Sequence, residues 1–213
     1  MLVQSPSKIF KSDLSVWKRE ESCFINVIFS GHNSGLKNVS EIVLEENGDY
    51  DFCYQKNSSI LVMVLYGETL ISGFTEPFTA GQIFTRSANE RGAFNLKNNL
   101  NHDKTDILIL ELKNNGSENS FSVEDLNFNE RNKLIQISKN LRHPNFAGLY
   151  DGRKEQEYVL QEKGKAIFGM VISGAFEFQN RLMENRDAVI LNGIETLEFE
   201  ALSENALLIF IEV

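Results

Sequence analysis

The feature that most constrains this chain is a β module that it carries twice. The first copy runs ILVMVLYGETLISG from Ile60, FTAGQIF from Phe78, GAFNL from Gly92 and DILILEL from Asp106. The second runs AIFGMVISGAFEFQ from Ala166, ENRDAVIL from Glu184, ETLEFEAL from Glu195 and NALLIFIEV from Asn205. In each copy an apolar run ends in a glycine, Gly67 or Gly174. A short turn, Ala80-Gly81-Gln82 or Asn185-Arg186-Asp187, then leads into another apolar strand, with two further strands after it. Such a repeat sets an architecture, because each copy must bury its own apolar face.

The run from Ile60 to Leu65 is apolar at both parities, which suits a strand covered on both faces. Short runs rich in Val, Ile, Leu and Phe predict strands at Phe24–Phe29, Glu41–Leu44, Ile60–Tyr66, Gln82–Thr85, Ile107–Leu112, Leu134–Ile137, Ala166–Ile172, Ala188–Leu191, Leu197–Leu202 and Ala206–Ile211. A polar stretch from Lys113 to Ser120 reads as the linker between modules, and Val123 to Arg131 is expected to form one or two helical turns. The expected organisation is therefore all-β with little helix, divided into residues 1–115 and 116–213.

With 213 residues the chain can bury roughly 70% of its unfolded surface, so neither a metal nor a disulfide is needed to hold a core. A formal net charge of -9 argues against direct nucleic-acid binding, which needs clustered Lys and Arg to displace counterions. No stretch approaches the ~20 apolar residues of a membrane helix, so no membrane partner is expected. The opening MLVQSPSKIFKSDLSVW lacks the apolar core of a signal peptide, which makes the cytoplasm the expected compartment and Cys23 and Cys53 free thiols.

No dinucleotide fingerprint, P-loop lysine or nucleophile elbow is present. The histidines, His32, His102 and His143, sit in three separate turn-like surroundings and read as solvated residues rather than ligands. Asp151 to Glu157 reads as an Asp-Gly turn followed by a solvated strand, and Glu195, Glu198 and Glu200 as the wet face of another. Cys53 has no His close in sequence to activate it as a nucleophile.

Several segments, in this order and spacing, resemble the pirin family of bicupins, including its quercetinase-like bacterial members. Asn33 to Val39 stands where that family opens its first barrel, and Ile60 to Glu68 matches its strand ending in Gly. Thr79-Ala80-Gly81-Gln82 matches its Pro-Gly-Asp turn with Thr79 in place of Pro, Arg91 to Asn95 matches a segment that normally delivers a histidine, and Leu207 to Phe210 resembles its closing strand. The resemblance runs from about Ser34 onward and implies two tandem cupin, jelly-roll-like barrels packed as a bicupin. It also implies a metal centre in the first barrel, held by histidines and a carboxylate.

Placing Gly67 on the family's glycine puts the ligand positions at Cys53, Gln55, Ser59 and Asn95. Shifting the register by one puts Tyr54, Lys56, Ile60 and Phe84 there instead. Neither set supplies the imidazoles and carboxylate that a first-row metal site needs. In the second barrel the matching segment, Gln161 to Ile167, holds no such set either. The expectation is a protein with no metal or other cofactor, a monomer or homodimer that binds a small molecule or a protein partner as a regulatory module. Cys53, Gln55, Ser59 and Asn95 would then form a small polar pocket inside the first barrel, or simply fill space. The alternative is an enzyme, either a quercetin 2,3-dioxygenase-like oxidoreductase or a metal-independent isomerase or lyase using that pocket.

Overall fold

The computed structural model describes residues 5–31, 35–114 and 119–213. Its first strands are β1 (Ser7–Phe10), β2 (Lys18–Glu20), β3 (Cys23–Ser30), β4 (Leu36–Leu44), β5 (Asp49–Tyr54), β6 (Ser58–Tyr66) and β7 (Glu68–Ile71). Next come β8 (Phe78–Thr79), β9 (Gln82–Ala88), β10 (Gly92–Asn98), β11 (Thr105–Lys113), β12 (Ser120–Asp125), β13 (Leu134–Gln136) and β14 (Asn145–Tyr150). The last are β15 (Glu155–Val159), β16 (Ile167–Ser173), β17 (Phe176–Phe178), β18 (Leu182–Met183), β19 (Ala188–Leu191), β20 (Thr196–Ala201) and β21 (Ala206–Glu212). Every run predicted as a strand falls on one of them.

Two compact units result, each made of two sheets packed across one core. The first unit has a sheet in the order β12-β9-β6-β11-β4-β3-β2 and a second in the order β5-β10-β7-β8. The other unit has β1-β19-β16-β21-β14-β13 and β15-β20-β17-β18. Written side by side, the two orders correspond strand for strand, with only β2 unmatched. The duplication seen in the sequence is therefore a duplication of topology, and each unit is a two-sheet jelly roll of the cupin kind.

Local chemistry repeats with the strand order. β6 is buried along nearly its whole length, with Ile60, Val62 and Val64 in the first core. Gly67 and Gly174, which end the matching strands β6 and β16, take φ values of 81° and 78°. An added Cβ at Gly174 would lie 2.4 Å from the Ser203 hydroxyl, so the tight exit needs glycine there. The turns before β9 and β19 also match: the Gln82 side-chain carbonyl accepts from Thr79 N–H at 2.9 Å, and the Asp187 carboxylate accepts from Glu184 N–H at 2.8 Å. Gly81 and Arg186 both adopt positive φ inside those turns.

The expected border between residues 115 and 116 lies outside the described residues, but the flanking strands divide the chain differently. One unit comprises residues 16–126 and 138–142; the other comprises residues 5–15, 127–137 and 143–213. Strand pairing is the reason. β12 pairs with β9 from Ser120↔Ser87 to Asp125↔Gln82, which keeps it in the first unit. β1 pairs with β19 from Ser7↔Leu191 to Phe10↔Ala188, which carries it into the second. The helical turns expected over Val123 to Arg131 are replaced by the end of β12 and a turn in which Asn127 Oδ1 accepts from Asn129 N–H at 2.8 Å. Among the described residues the one helical element is the 3₁₀ turn Ser12–Leu14. No helix among the described residues is long and apolar enough to cross a membrane.

Candidate functional site

The resemblance implies a first-barrel metal near β5 and β10, the strands on which the expected positions Cys53 and Asn95 lie. These strands alternate strictly. Phe52, Tyr54, Phe94 and Leu96 are buried, whereas Asp49, Asp51, Cys53, Ala93 and Lys97 are exposed. Cross-strand partners Phe52 and Phe94 hold their ring centroids 5.4 Å apart, Tyr54 lies 6.1 Å from Phe94, and Phe84 meets Phe94 edge-on at 5.8 Å. Phe74 and Phe78 continue the cluster at 5.5 and 6.0 Å from Phe84. Tyr54 folds over its cross-strand partner Gly92, where an added Cβ would come within 2.5 Å of its hydroxyl oxygen. The interior is packed ring against ring, an arrangement that contributes beyond simple area burial.

The four sequence candidates do not converge here. Cys53 and Gln55 are exposed. Asn95 lies on the outer face, donating from its amide to Asp49 Oδ2 and Asp51 Oδ1 at 2.9 Å each, and from its backbone N–H to Ser72 Oγ at 3.0 Å. Ser59 is buried, but it lies on β6 at the parity opposite Ile60 and pairs with Ser87 Oγ at 3.2 Å. The polar pocket expected from these residues is thus replaced by an aromatic one, because the inner face of β5 takes the other parity. Three residues of the shifted register, Tyr54, Ile60 and Phe84, do lie together in the first core, and Lys56 is exposed.

The second unit is filled in the same way. Tyr150 meets Phe199 edge-on at 5.3 Å, Tyr158 and Phe210 are 4.8 Å apart, and Phe178 stacks on Phe199 at 6.2 Å. Tyr150 donates its hydroxyl hydrogen bond to Gln156 Oε1, and burial pushes its ionisation well above the ordinary tyrosine value. A Cβ on Gly169 would lie 2.6 Å from the Phe178 ring, so backbone and ring are in direct contact.

Buried acids occur in both units, and each is already engaged. Glu111 accepts from Gln55 N–H at 2.8 Å and Ser58 Oγ at 2.5 Å. Its counterpart Glu212 accepts from Tyr158 OH at 2.6 Å and from the backbone N–H groups of Gln161 and Glu162 at 2.7 and 2.9 Å. Each carboxylate therefore holds the loop that joins β5 to β6 or β15 to β16. Lys37 Nζ binds the same loop through the carbonyls of Lys56 and Asn57 at 2.8 Å, and burial pulls its ionisation below the ordinary lysine value. Neither glutamate was singled out from sequence, although a Glu at the same place in DILILEL and LLIFIEV was a signal that the repeat offered.

Side chains that could donate to a metal lie apart from one another. His102 has a side chain 93% exposed with Nδ1 3.5 Å from Glu46, His143 Nδ1 is 3.0 Å from the Glu212 carbonyl, and His32 lies outside the described residues. Both cysteines are free, and burial pushes the thiol of Cys23 up. Among the described residues no group of three or more His, Cys, Asp and Glu could hold a metal ion. The donor set does not fit the imidazole-carboxylate centre that the resemblance implied.

Outside the barrel, the face of β15, β20 and β17 is acidic. Glu155 and Glu177 both pair across to Glu200, and Glu157 pairs to Glu198. Like charges placed directly opposite cost stability, and Arg153, 3.4 Å from Glu200, offsets part of this. The solvated strand expected after Asp151 and the wet face expected at Glu198 and Glu200 are both present.

With this geometry in place, comparison with known proteins is direct. Residues 129–213 match the family model for the quercetinase C-terminal cupin domain. The chain is similar in structure to YhhW from Escherichia coli, with a TM-score of 0.82 at 15% identity, covering 97% of each chain. A second structure, of bacterial pirin YhhW from the same organism in complex with nickel(II), matches equally, with 97% of this chain and 98% of that one covered. Quercetin 2,3-dioxygenase from Acinetobacter baumannii follows at a TM-score of 0.71 and 10% identity, covering 98% of this chain and 78% of that one. The comparison with curated proteins gives no match. Strand order and these likenesses define a protein of the cupin class with two tandem jelly rolls. In fold the chain is similar to bacterial pirin, and its residues 129–213 match the quercetinase C-terminal cupin domain.

Proposed function

We propose that this chain is a metal-free pirin-like cupin acting as a binding or regulatory module in the cytoplasm, through its outer surface rather than through a barrel pocket. The observation that carries this reading is the inner face of β5 and β10. Phe52, Tyr54, Phe94 and Leu96 stand where polar donors would be required, and they are 3%, 6%, 3% and 0% exposed. Oxygen chemistry on a flavonol needs a redox-active metal that engages both oxygen and substrate, and this face offers it no ligand. A metal-independent reaction in the same space would need a polar group facing the substrate, and rings occupy that position.

The outer surface is what remains for recognition. It is strongly acidic on the β15-β20-β17 face, which favours a protein partner with a basic surface over a nucleic acid. The test is quercetin consumption, followed by loss of its visible absorbance, with protein preincubated separately with iron, nickel, copper and manganese. No turnover above the protein-free rate is expected with any metal. Turnover with one metal, abolished by chelation, would establish the oxidoreductase reading instead.

A further inference from the structure

The smaller sheet of each unit ends in a matching edge strand, and only one of these two edges is covered. β5 ends the sheet β5-β10-β7-β8, and β15 ends β15-β20-β17-β18. Asn98 N–H bonds the Gly48 carbonyl at 2.9 Å, so the alternation of an antiparallel pair turns the backbone groups of Asp49, Asp51 and Cys53 away from β10. In the same way the bond from Leu160 N–H to the Glu195 carbonyl, also at 2.9 Å, turns those of Glu155, Glu157 and Val159 away from β20. Each strand therefore points a row of N–H and C=O groups outward, where an added strand could pair with them.

The first edge is closed by its own unit. Ser22, in the turn between β2 and β3, donates from Oγ to the Asp49 carbonyl at 3.2 Å and accepts from Asp49 N–H at 3.1 Å. The Asn95 amide bridges the carboxylates of Asp49 and Asp51. The second unit has no strand matching β2, and among the described residues no side chain bonds the outward backbone groups of Glu155, Glu157 or Val159. Across from its carboxylates stand further carboxylates instead of an amide, Glu200 opposite Glu155 and Glu198 opposite Glu157.

The chemistry of this open edge selects its occupant. A groove of about 560 Å³ lies over the face, with Glu155, Glu157, Glu177, Glu198 and Glu200 in its wall. Among the described residues, Arg153 beside Glu200 is the one cation ion-paired with these glutamates. On the same side of β15, Val159 leaves an apolar side chain 69% exposed. A second copy of β15 brought to this edge would set Glu against Glu, the usual guard of an edge against self-pairing, whereas a cationic strand would be drawn in. Every pair already in this sheet is antiparallel. We propose that the β15 edge accepts an extended basic segment of a partner protein as an added antiparallel strand, with Lys or Arg opposite Glu155 and Glu157 and an apolar residue opposite Val159, a partner class that deepens the binding-module reading and rests on it.

The test is fluorescence anisotropy of full-length protein with the labelled peptide Thr-Val-Thr-Lys-Thr-Lys-Thr. Its valine and two lysines come opposite Val159, Glu157 and Glu155 and point their N–H groups at β15. Two N-methylated forms separate strand addition from attraction of charge alone. One is methylated at both lysines; the other is methylated at the threonine before each lysine, whose N–H groups point away. Saturable binding is expected, about tenfold weaker for the lysine-methylated form than for the threonine-methylated one. The parent peptide should bind about fivefold more weakly to the Glu155→Gln, Glu157→Gln double variant. Equal affinity of the two methylated forms, no loss in the double variant, or no saturable binding below about 1 mM overturns the proposal. The assay contains neither quercetin nor added metal, so its failure leaves the metal-free reading standing, and metal-dependent quercetin turnover would overturn that reading by a separate measurement.

Discussion

Two strands close the same edge in the two units, and they are latched by different chemistry. β12 is held to its turn by a neutral amide, Gln82, half-buried and shared between Thr79 and Asp125. β1 is held by a carboxylate, Asp187, which is fully buried and accepts from Lys11, Ser12 N–H and Glu184 N–H. The duplicated fold keeps the position of the latch and lets its chemistry change. A buried charge costs several kcal/mol to desolvate, so it persists only with a full set of donors, and removing it strands those donors. The amide latch carries no such penalty, and this difference makes the second unit the more sensitive of the two to a single change.

The largest effects belong to what the units share. Phe94→Ala and Phe199→Ala should each lower stability by ~3–5 kcal/mol in denaturant unfolding, since each ring is buried among others in its own core. A loss below about 1 kcal/mol at either position would break the parallel by showing that its ring lines a cavity instead of filling a core. The next effect separates the units. Asp187→Ala should cost ~2–4 kcal/mol and Gln82→Ala only ~0.5–1.5 kcal/mol, so equal losses would remove the distinction between the two latches.

The smallest effect is a pH dependence. Asp187, by hydrogen bonding and charge, holds the Lys11 ammonium above its ordinary range, with Glu184 adding to the pull. A raised lysine gives stability that is whole below the unfolded value and is lost as pH rises through the folded one. The β1 latch should therefore loosen above about pH 10.5, whereas the Gln82 amide has nothing to titrate in this range. Trp17, the single tryptophan, lies a few residues past the latch and can report on it. The stability gap between wild type and Asp187→Asn, followed by Trp17 fluorescence in denaturant, should be full at neutral pH and narrow at alkaline pH. A gap unchanged with pH would sink the charge-latch account.

How much of this was legible follows from where the information lies. The apolar strands, the glycines at 67 and 174 and the paired turns are local patterns, and the structure keeps them all. The candidate site failed for a reason that was itself local. Asp49-Tyr50-Asp51-Phe52-Cys53-Tyr54 alternates polar and aromatic residues, a period of two that turns Phe52 and Tyr54 inward. Anchoring the ligand positions on Gly67 carried a register across the loop between β5 and β6 and landed one residue off. A one-residue slip inverts every side chain of a strand.

The two edge strands were beyond a local reading for another reason. β12 leaves its Phe121 and Val123 side chains 67% and 44% exposed, so its hydrophobic pattern says nothing about the partner. β1 finds its partner at Ala188–Leu191, a pairing that no window along the chain can show. The buried glutamates lay between these cases. One Glu inside an apolar strand is ambiguous, but the same Glu in both copies, Glu111 and Glu212, marks a structural requirement.

Metal content tests the central reading most directly. Full-length protein would be incubated separately with iron, nickel, copper and manganese, passed through a desalting column and measured by elemental analysis. Packed aromatic faces in both units predict retention far below one metal per chain, unchanged in Cys53→Ser and Asn95→Ala. One equivalent of any of the four metals, retained by wild type and lost in either variant, would contradict the account.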